Sequence, residues 1–86
     1  MKMMIMVVKD QDADALTREL TAGNYRVTRV ASTGGFLRSG IATLLMGLED
    51  GQVEEVITRL KEMFPPPAAE PRVTLFVVPV EAYQQV

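Results

Sequence analysis

The chain has 86 residues, a net charge of −2 with no lysine or arginine tract, and neither cysteine nor histidine. That length suits one small domain over residues 1–86, burying roughly 60 to 65% of its unfolded surface, and the charge excludes the electrostatic footprint of a duplex nucleic-acid binder. The missing residue types exclude disulfides, thiolate metal sites, a cysteine nucleophile, and both the commonest general base and the commonest nitrogen metal ligand.

The opening "MKMMIMVV" is apolar but ends at "KDQD" without a small-residue cleavage site, and it is far too short to span a bilayer. The expectation is therefore a cytoplasmic protein with no membrane insertion. Residues 3 to 8 form a continuous apolar run of strand length, suited to a strand buried on both faces. From Asp12 the period becomes helical, with Ala13, Leu16 and Leu20 at i, i+3 and i+7. Asp12 is placed to cap this first helix and Gly23 to close it in a left-handed conformation.

"NYRVTRVAST", residues 24 to 33, alternates: Tyr25, Val27, Arg29 and Ala31 point one way, Asn24, Arg26, Thr28, Val30 and Ser32 the other. It reads as an edge strand with one mostly polar face. After "GGFLRSG" comes "IATLLMGL", residues 41 to 48, apolar on both faces except for Thr43 and therefore central in a sheet. Asp50 is placed to cap the second helix, whose Val53, Val56, Ile57, Leu60 and Phe64 form an apolar stripe. The prolines at 65 to 67 stop it. "PPPAAEP" then leads to the last strand, "RVTLFVVPV", and the tail "EAYQQV".

The order β-α-β-β-α-β specifies an α+β, ferredoxin-like domain: a four-stranded antiparallel sheet with two helices on one face. Two helices cover only one face, yet the first, third and fourth strands are apolar on both. Residues such as Leu45, Leu75 and Val77, or their alternating neighbours, would then stand in water, each forfeiting about 1.5 to 3 kcal/mol of burial. A patch of that extent marks an interface. The expectation is a homo-oligomer packed through the open sheet face, with clefts between subunits available to a ligand.

"STGGFLRSG" admits two readings. One is a hairpin connection whose glycines supply positive φ angles and nothing more. The other is a nucleotide-binding turn, in which backbone N–H groups cradle an anion, Phe36 stacks on a base, and Arg26 or Arg38 meets a phosphate. Asp10, Asp12 and Asp14 lack the glycine and downstream glutamate of a calcium loop and read as a capped, solvated helix start. Glu54 and Glu55 belong to the outer face of the second helix, and the methionines to the core. No acid–base pair or activated nucleophile is assembled, so the protein is not read as an enzyme.

"MKMMIMVVKDQDADAL", "NYRVTRVASTGGFLRSG" and "VTLFVVPVEAYQQV" together resemble the PII-like cyclic di-AMP receptor proteins, small trimeric cytoplasmic signal transducers with a ferredoxin-like subunit. The resemblance covers nearly the whole chain and is most specific in "DQD", "TGGFLRSG" and "FVVPVEAYQQ". It implies a homotrimer holding the cyclic dinucleotide between neighbouring subunits, through Asn24, Arg26 and Thr28, the turn residues Gly35, Phe36 and Leu37, then Gly47, Phe76 and Gln85. It also implies adenine packing on Phe36 and phosphates facing Arg26. The lack of histidine and cysteine argues against a transition-metal role, no other cofactor is expected, and the sequence does not name the protein target.

Two departures qualify what carries over. Ile41 stands where the better-known receptors have an asparagine, removing an amide able to hydrogen-bond adenine, a loss of about 1 to 3 kcal/mol. The connection before the last strand, long in those receptors, is only "PPPAAEP". The leading expectation is a trimeric sensor of a nucleotide second messenger, cyclic di-AMP. The alternatives are a scaffolding trimer of the same fold without high-affinity cyclic di-AMP binding, or a binder of another adenine nucleotide.

Overall fold

β1 (Lys2–Lys9) alternates strictly: Met4, Met6 and Val8 are buried, while Met3, Ile5 and Val7 between them are half-buried. A strand presents successive side chains to opposite faces, so only one face of β1 is covered within the subunit. The computed structural model of the protein describes residues 1–30, 40–65 and 72–86. The remaining elements are α1 (Asp10–Ala22), β2 (Val27–Val30), β3 (Ile41–Leu48), α2 (Gln52–Met63) and β4 (Val73–Pro79).

The order βαββαβ is as expected. The strands form one antiparallel sheet ordered β2-β3-β1-β4, with β3 and β1 central and β2 and β4 at the edges. The core lies between the sheet and the helices. Met4, Met6 and Val8 meet Ala42, Leu44, Met46 and Leu48 of β3, with Ala13, Leu16 and Leu20 of α1 and Val56 and Leu60 of α2.

Register assigns every side chain to a face. Ile5 pairs with Leu45 on one side and Phe76 on the other, and Met3 with Gly47 and Val78. Met3, Ile5, Val7, Leu45, Phe76 and Val78 thus share the open face. Leu75 pairs with Met6 and Val77 with Met4, which puts both on the helix side. The open face thus takes Leu45 from β3 and, from β4, Phe76 and Val78, the alternating neighbours of Leu75 and Val77. The sequence shows the alternation but not which phase of β4 aligns with which phase of β1.

Helix ends also differ from expectation. Asn24, with φ 68°, takes the left-handed position after α1, while Gly23 has φ −85°. The Asn24 amide donates to the Thr21 carbonyl at 3.0 Å and the Tyr25 amide to the Leu20 carbonyl at 3.0 Å. This is the two-bond Schellman closure, in which asparagine substitutes for glycine. α2 is capped by Gly51 and not by Asp50; the Glu49 amide donates to Gln52 Oε1 at 2.9 Å. Asp50 instead lies 3.4 Å from the N-terminal ammonium.

Asp12 does not cap α1, which begins two residues earlier with Lys9 at its cap position. Its carboxylate is buried and receives two bonds from Arg72, at 2.6 and 3.1 Å, across sixty residues of chain. The Arg72 guanidinium also lies 4.7 Å from the centre of the Phe64 ring, a cation–π distance. The bond from Arg72 holds the Asp12 carboxyl below the usual carboxylate range, outweighing the opposing effect of burial.

A carboxyl whose folded pKa is depressed stabilises the fold fully above its unfolded pKa of about 3.9, and that contribution is lost as pH falls toward the folded value. Asp12→Asn is therefore expected to cost about 1 kcal/mol at pH 7, a low figure because Arg72 is partly exposed, and to flatten the loss of stability below about pH 4. Urea titrations of both proteins between pH 7 and 3 check this. Parallel pH profiles would exclude the role.

Candidate functional site

The sheet has two ends of different character. At one, β2 stops at Val30 and β3 starts after Gly40, whose φ is +90°. The Gly40 carbonyl accepts from the Asp10 amide at 2.7 Å. Arg29, on the helix side of β2, spans Asp10 and Asp14 with two bonds of 2.9 Å. The three aspartates at the start of α1 are thus each engaged by an arginine. Among the described residues no group of three or more acidic or other metal-ligating side chains is arranged to hold a metal ion.

At the other end lies a cavity of about 750 Å³, within the usual range for small-molecule sites. Its floor is the open face of β1 and β3: Met1, Met3, Leu45 and Gly47. One wall is Arg26 and Thr28 at the start of β2; the other is the segment from Val78 to Tyr83, together with Gln85. The tail is tied to the floor by the Val80 amide, which donates to the Met1 carbonyl at 3.0 Å. A Cβ at Gly47 would meet the Met1 methyl at 3.5 Å, an ordinary van der Waals contact.

Four of the residues implied by the family resemblance, Arg26, Thr28, Gly47 and Gln85, are brought together here from β2, β3 and the tail. The arginines differ in a useful way. Arg29, Arg59 and Arg72 are each paired with carboxylates. Arg26 lines the cavity and has no ion-pair partner among the described residues. A planar guanidinium of this kind at a mostly apolar pocket suits a phosphate.

Asn24, Ile41 and Phe76 do not line this cavity. Asn24 is engaged in the turn after α1, where it takes a left-handed backbone conformation. Phe76 stands 55% exposed at the middle of the open face, opposite Ile5. Ile41 faces the same side but at the far end, six residues from Gly47 along β3, or about 20 Å at the rise of a strand. Gly35, Phe36 and Leu37 lie outside the described residues.

Sequence reasoning missed the other wall residues, Glu81 and Tyr83 in particular. Both sit in the tail with Gln85, beyond the last strand, where no strand or helix period marks the residues that line the cavity. Among the described residues, titration is displaced at three groups away from the cavity. Besides Asp12, Arg72 is raised by its bond to Asp12, and Tyr25 is raised by burial and by its 3.0 Å bond to Glu55. None of the three lines the cavity, and all serve to hold α1, α2 and the strands together.

Comparison with known proteins bears on the fold and the family. Over 99% of its length the chain is similar, at 30% identity and a TM-score of 0.76, to 96% of a functionally unknown protein of Pediococcus pentosaceus known from a crystal structure. No helix among the described residues is long and apolar enough to cross a membrane. Residues 1–65 match the family described as the cyclic-di-AMP receptor, and the chain therefore belongs to the cyclic-di-AMP receptor family.

Proposed function

We propose that the protein is a cytoplasmic homotrimer, one domain per subunit, that binds cyclic di-AMP between subunits and passes its occupancy to a protein partner. The observation that carries this reading is the cavity built by Arg26, Thr28, Gly47 and Gln85 at the end of an uncovered apolar sheet face. Packing subunits through Met3, Ile5, Val7, Leu45 and Phe76 removes that face from water and sets each cavity beside a neighbouring chain.

The spacing along β3 supports the same arrangement. A ligand over Gly47 lies about 20 Å from Ile41 of its own subunit, farther than one nucleotide reaches. A site that uses both ends of the sheet draws them from different chains. Occupancy then changes the protein by binding one arrangement of the trimer better than another. A second reading, a trimer tuned to another adenine nucleotide, is favoured by Ile41, which offers no hydrogen bond where the family has an asparagine.

Calorimetric titration with cyclic di-AMP, against cyclic di-GMP, ATP and AMP, separates these readings. Saturable heat with cyclic di-AMP and much weaker responses from the others is the expected result. Preference for ATP or AMP would establish the second reading, and no heat from any of them at high micromolar concentration would exclude both.

A further inference from the structure

Five aromatic residues occur in the chain, and those among the described residues have different occupations. Tyr25 is half-buried and donates its hydroxyl to Glu55 at 3.0 Å. Phe64 lies beneath Arg72, and Phe76 stands opposite Ile5 in the middle of the open sheet face. Tyr83 alone among them lines the cavity, and it does so 63% exposed. Its hydroxyl has no hydrogen-bond partner among the described residues.

An exposed tyrosine near a chain end is by itself ordinary, since termini pack loosely. Here the tail is not loose at its root. Pro79 pairs with Lys2, the Val80 amide is bonded to the Met1 carbonyl at 3.0 Å, and Glu81, Ala82, Tyr83 and Gln85 all line the same cavity. The tail therefore forms a wall on the β4 side, facing Arg26 and Thr28 on the β2 side. The two edge strands are three strand spacings apart, or about 14 Å, which is wider than one purine and leaves room for a phosphate at Arg26 and a base at Tyr83.

We infer that Tyr83 is a base-stacking residue of this site, closing the cavity over an adenine whose phosphate is held by Arg26. The inference rests on the cyclic di-AMP reading and adds a specific contact to it. An aromatic wall on a short tethered tail gains its apolar burial only when a ring lies against it. That burial couples closure of the tail to occupancy of the site. Stacking of this kind tolerates either aromatic residue but not an aliphatic one.

The chain has no tryptophan and two tyrosines, so in the Tyr25→Phe protein all tyrosine emission comes from Tyr83. Titrating that protein with cyclic di-AMP, excited beyond the adenine band and with calorimetry run in parallel, is expected to quench the emission along the isotherm traced by the heat. Tyr83→Ala is expected to weaken binding roughly 5- to 150-fold, the range of a lost base–aromatic stack, and Tyr83→Phe to restore it to within about twofold. Circular dichroism of Tyr83→Ala should be unchanged, because the side chain is mostly exposed. Heat without a change in Tyr83 emission, or wild-type affinity in Tyr83→Ala, overturns the stacking role and leaves the cyclic di-AMP reading standing. Absence of heat from the unsubstituted protein removes both.

Discussion

Ile5→Lys is expected to convert the proposed trimer into a folded monomer and to abolish cyclic di-AMP binding in the same step. Ile5 lies on a central strand, midway along the open face, flanked by Leu45 and Phe76. It faces away from the helices, so the core of Met4, Met6 and Leu44 is untouched. The substitution forfeits about 1.5 to 3 kcal/mol of apolar burial in each subunit and asks three ammonium groups to enter one packed interface without partners, at several kcal/mol each. Light scattering coupled to size-exclusion chromatography reads the assembly, circular dichroism the fold, and calorimetry the ligand. A variant that stays trimeric, or a parent protein that is monomeric, would contradict assembly through this face. A monomer that still binds with full affinity would place the whole site within one subunit.

Arg26→Ala is expected to weaken cyclic di-AMP binding by roughly 10- to 150-fold, the equivalent of about 1.5 to 3 kcal/mol for a charge-assisted hydrogen bond. Arg26 is the arginine of the cavity that no carboxylate occupies among the described residues, so its removal breaks no ion pair there and costs the fold little. Arg26→Lys should recover part of the affinity, since the ammonium keeps the charge but loses the planar fork. Raising the salt concentration should weaken the parent protein more than Arg26→Ala, because only the former carries the screened attraction. Equal affinity of Arg26→Ala and the parent would move the phosphates elsewhere.

Both effects depend on where the sheet puts side chains that the sequence only alternates. β3 illustrates the limit. "IATLLMGL" reads as a central strand because it is apolar on both phases, and it is central. The buried phase is Ala42, Leu44, Met46 and Leu48, leaving Leu45 and Gly47 to the open face. Either phase is chemically acceptable as core, and the choice is made by pairing with β1. The same holds for β4, where Leu75 and Val77 fall on the helix side and Phe76 and Val78 on the open one.

Part of the candidate site was legible through the resemblance, and part through residue chemistry. Arg26 and Thr28 share a strand face by alternation alone. Their meeting with Gly47 and Gln85 needed the pairing of β2 with β3 and the return of the tail along Met1. Asn24 shows the opposite case: a polar residue in a binding pattern whose positive φ is already required by the turn after α1.

By itself, then, the sequence determined the succession βαββαβ, the central position of β3, the prolines that end α2, and the absence of the side chains needed for thiolate or imidazole chemistry. These follow from composition and from periods of 2 and 3.6 residues, which are properties of neighbouring positions. Only the tertiary structure decided which phase of each strand meets the helices, that Asp12 belongs to Arg72 sixty residues away, and that Tyr83 faces Arg26 across the sheet. Those are consequences of register and of chain return, where many distant pairings satisfy the same local pattern and packing selects one.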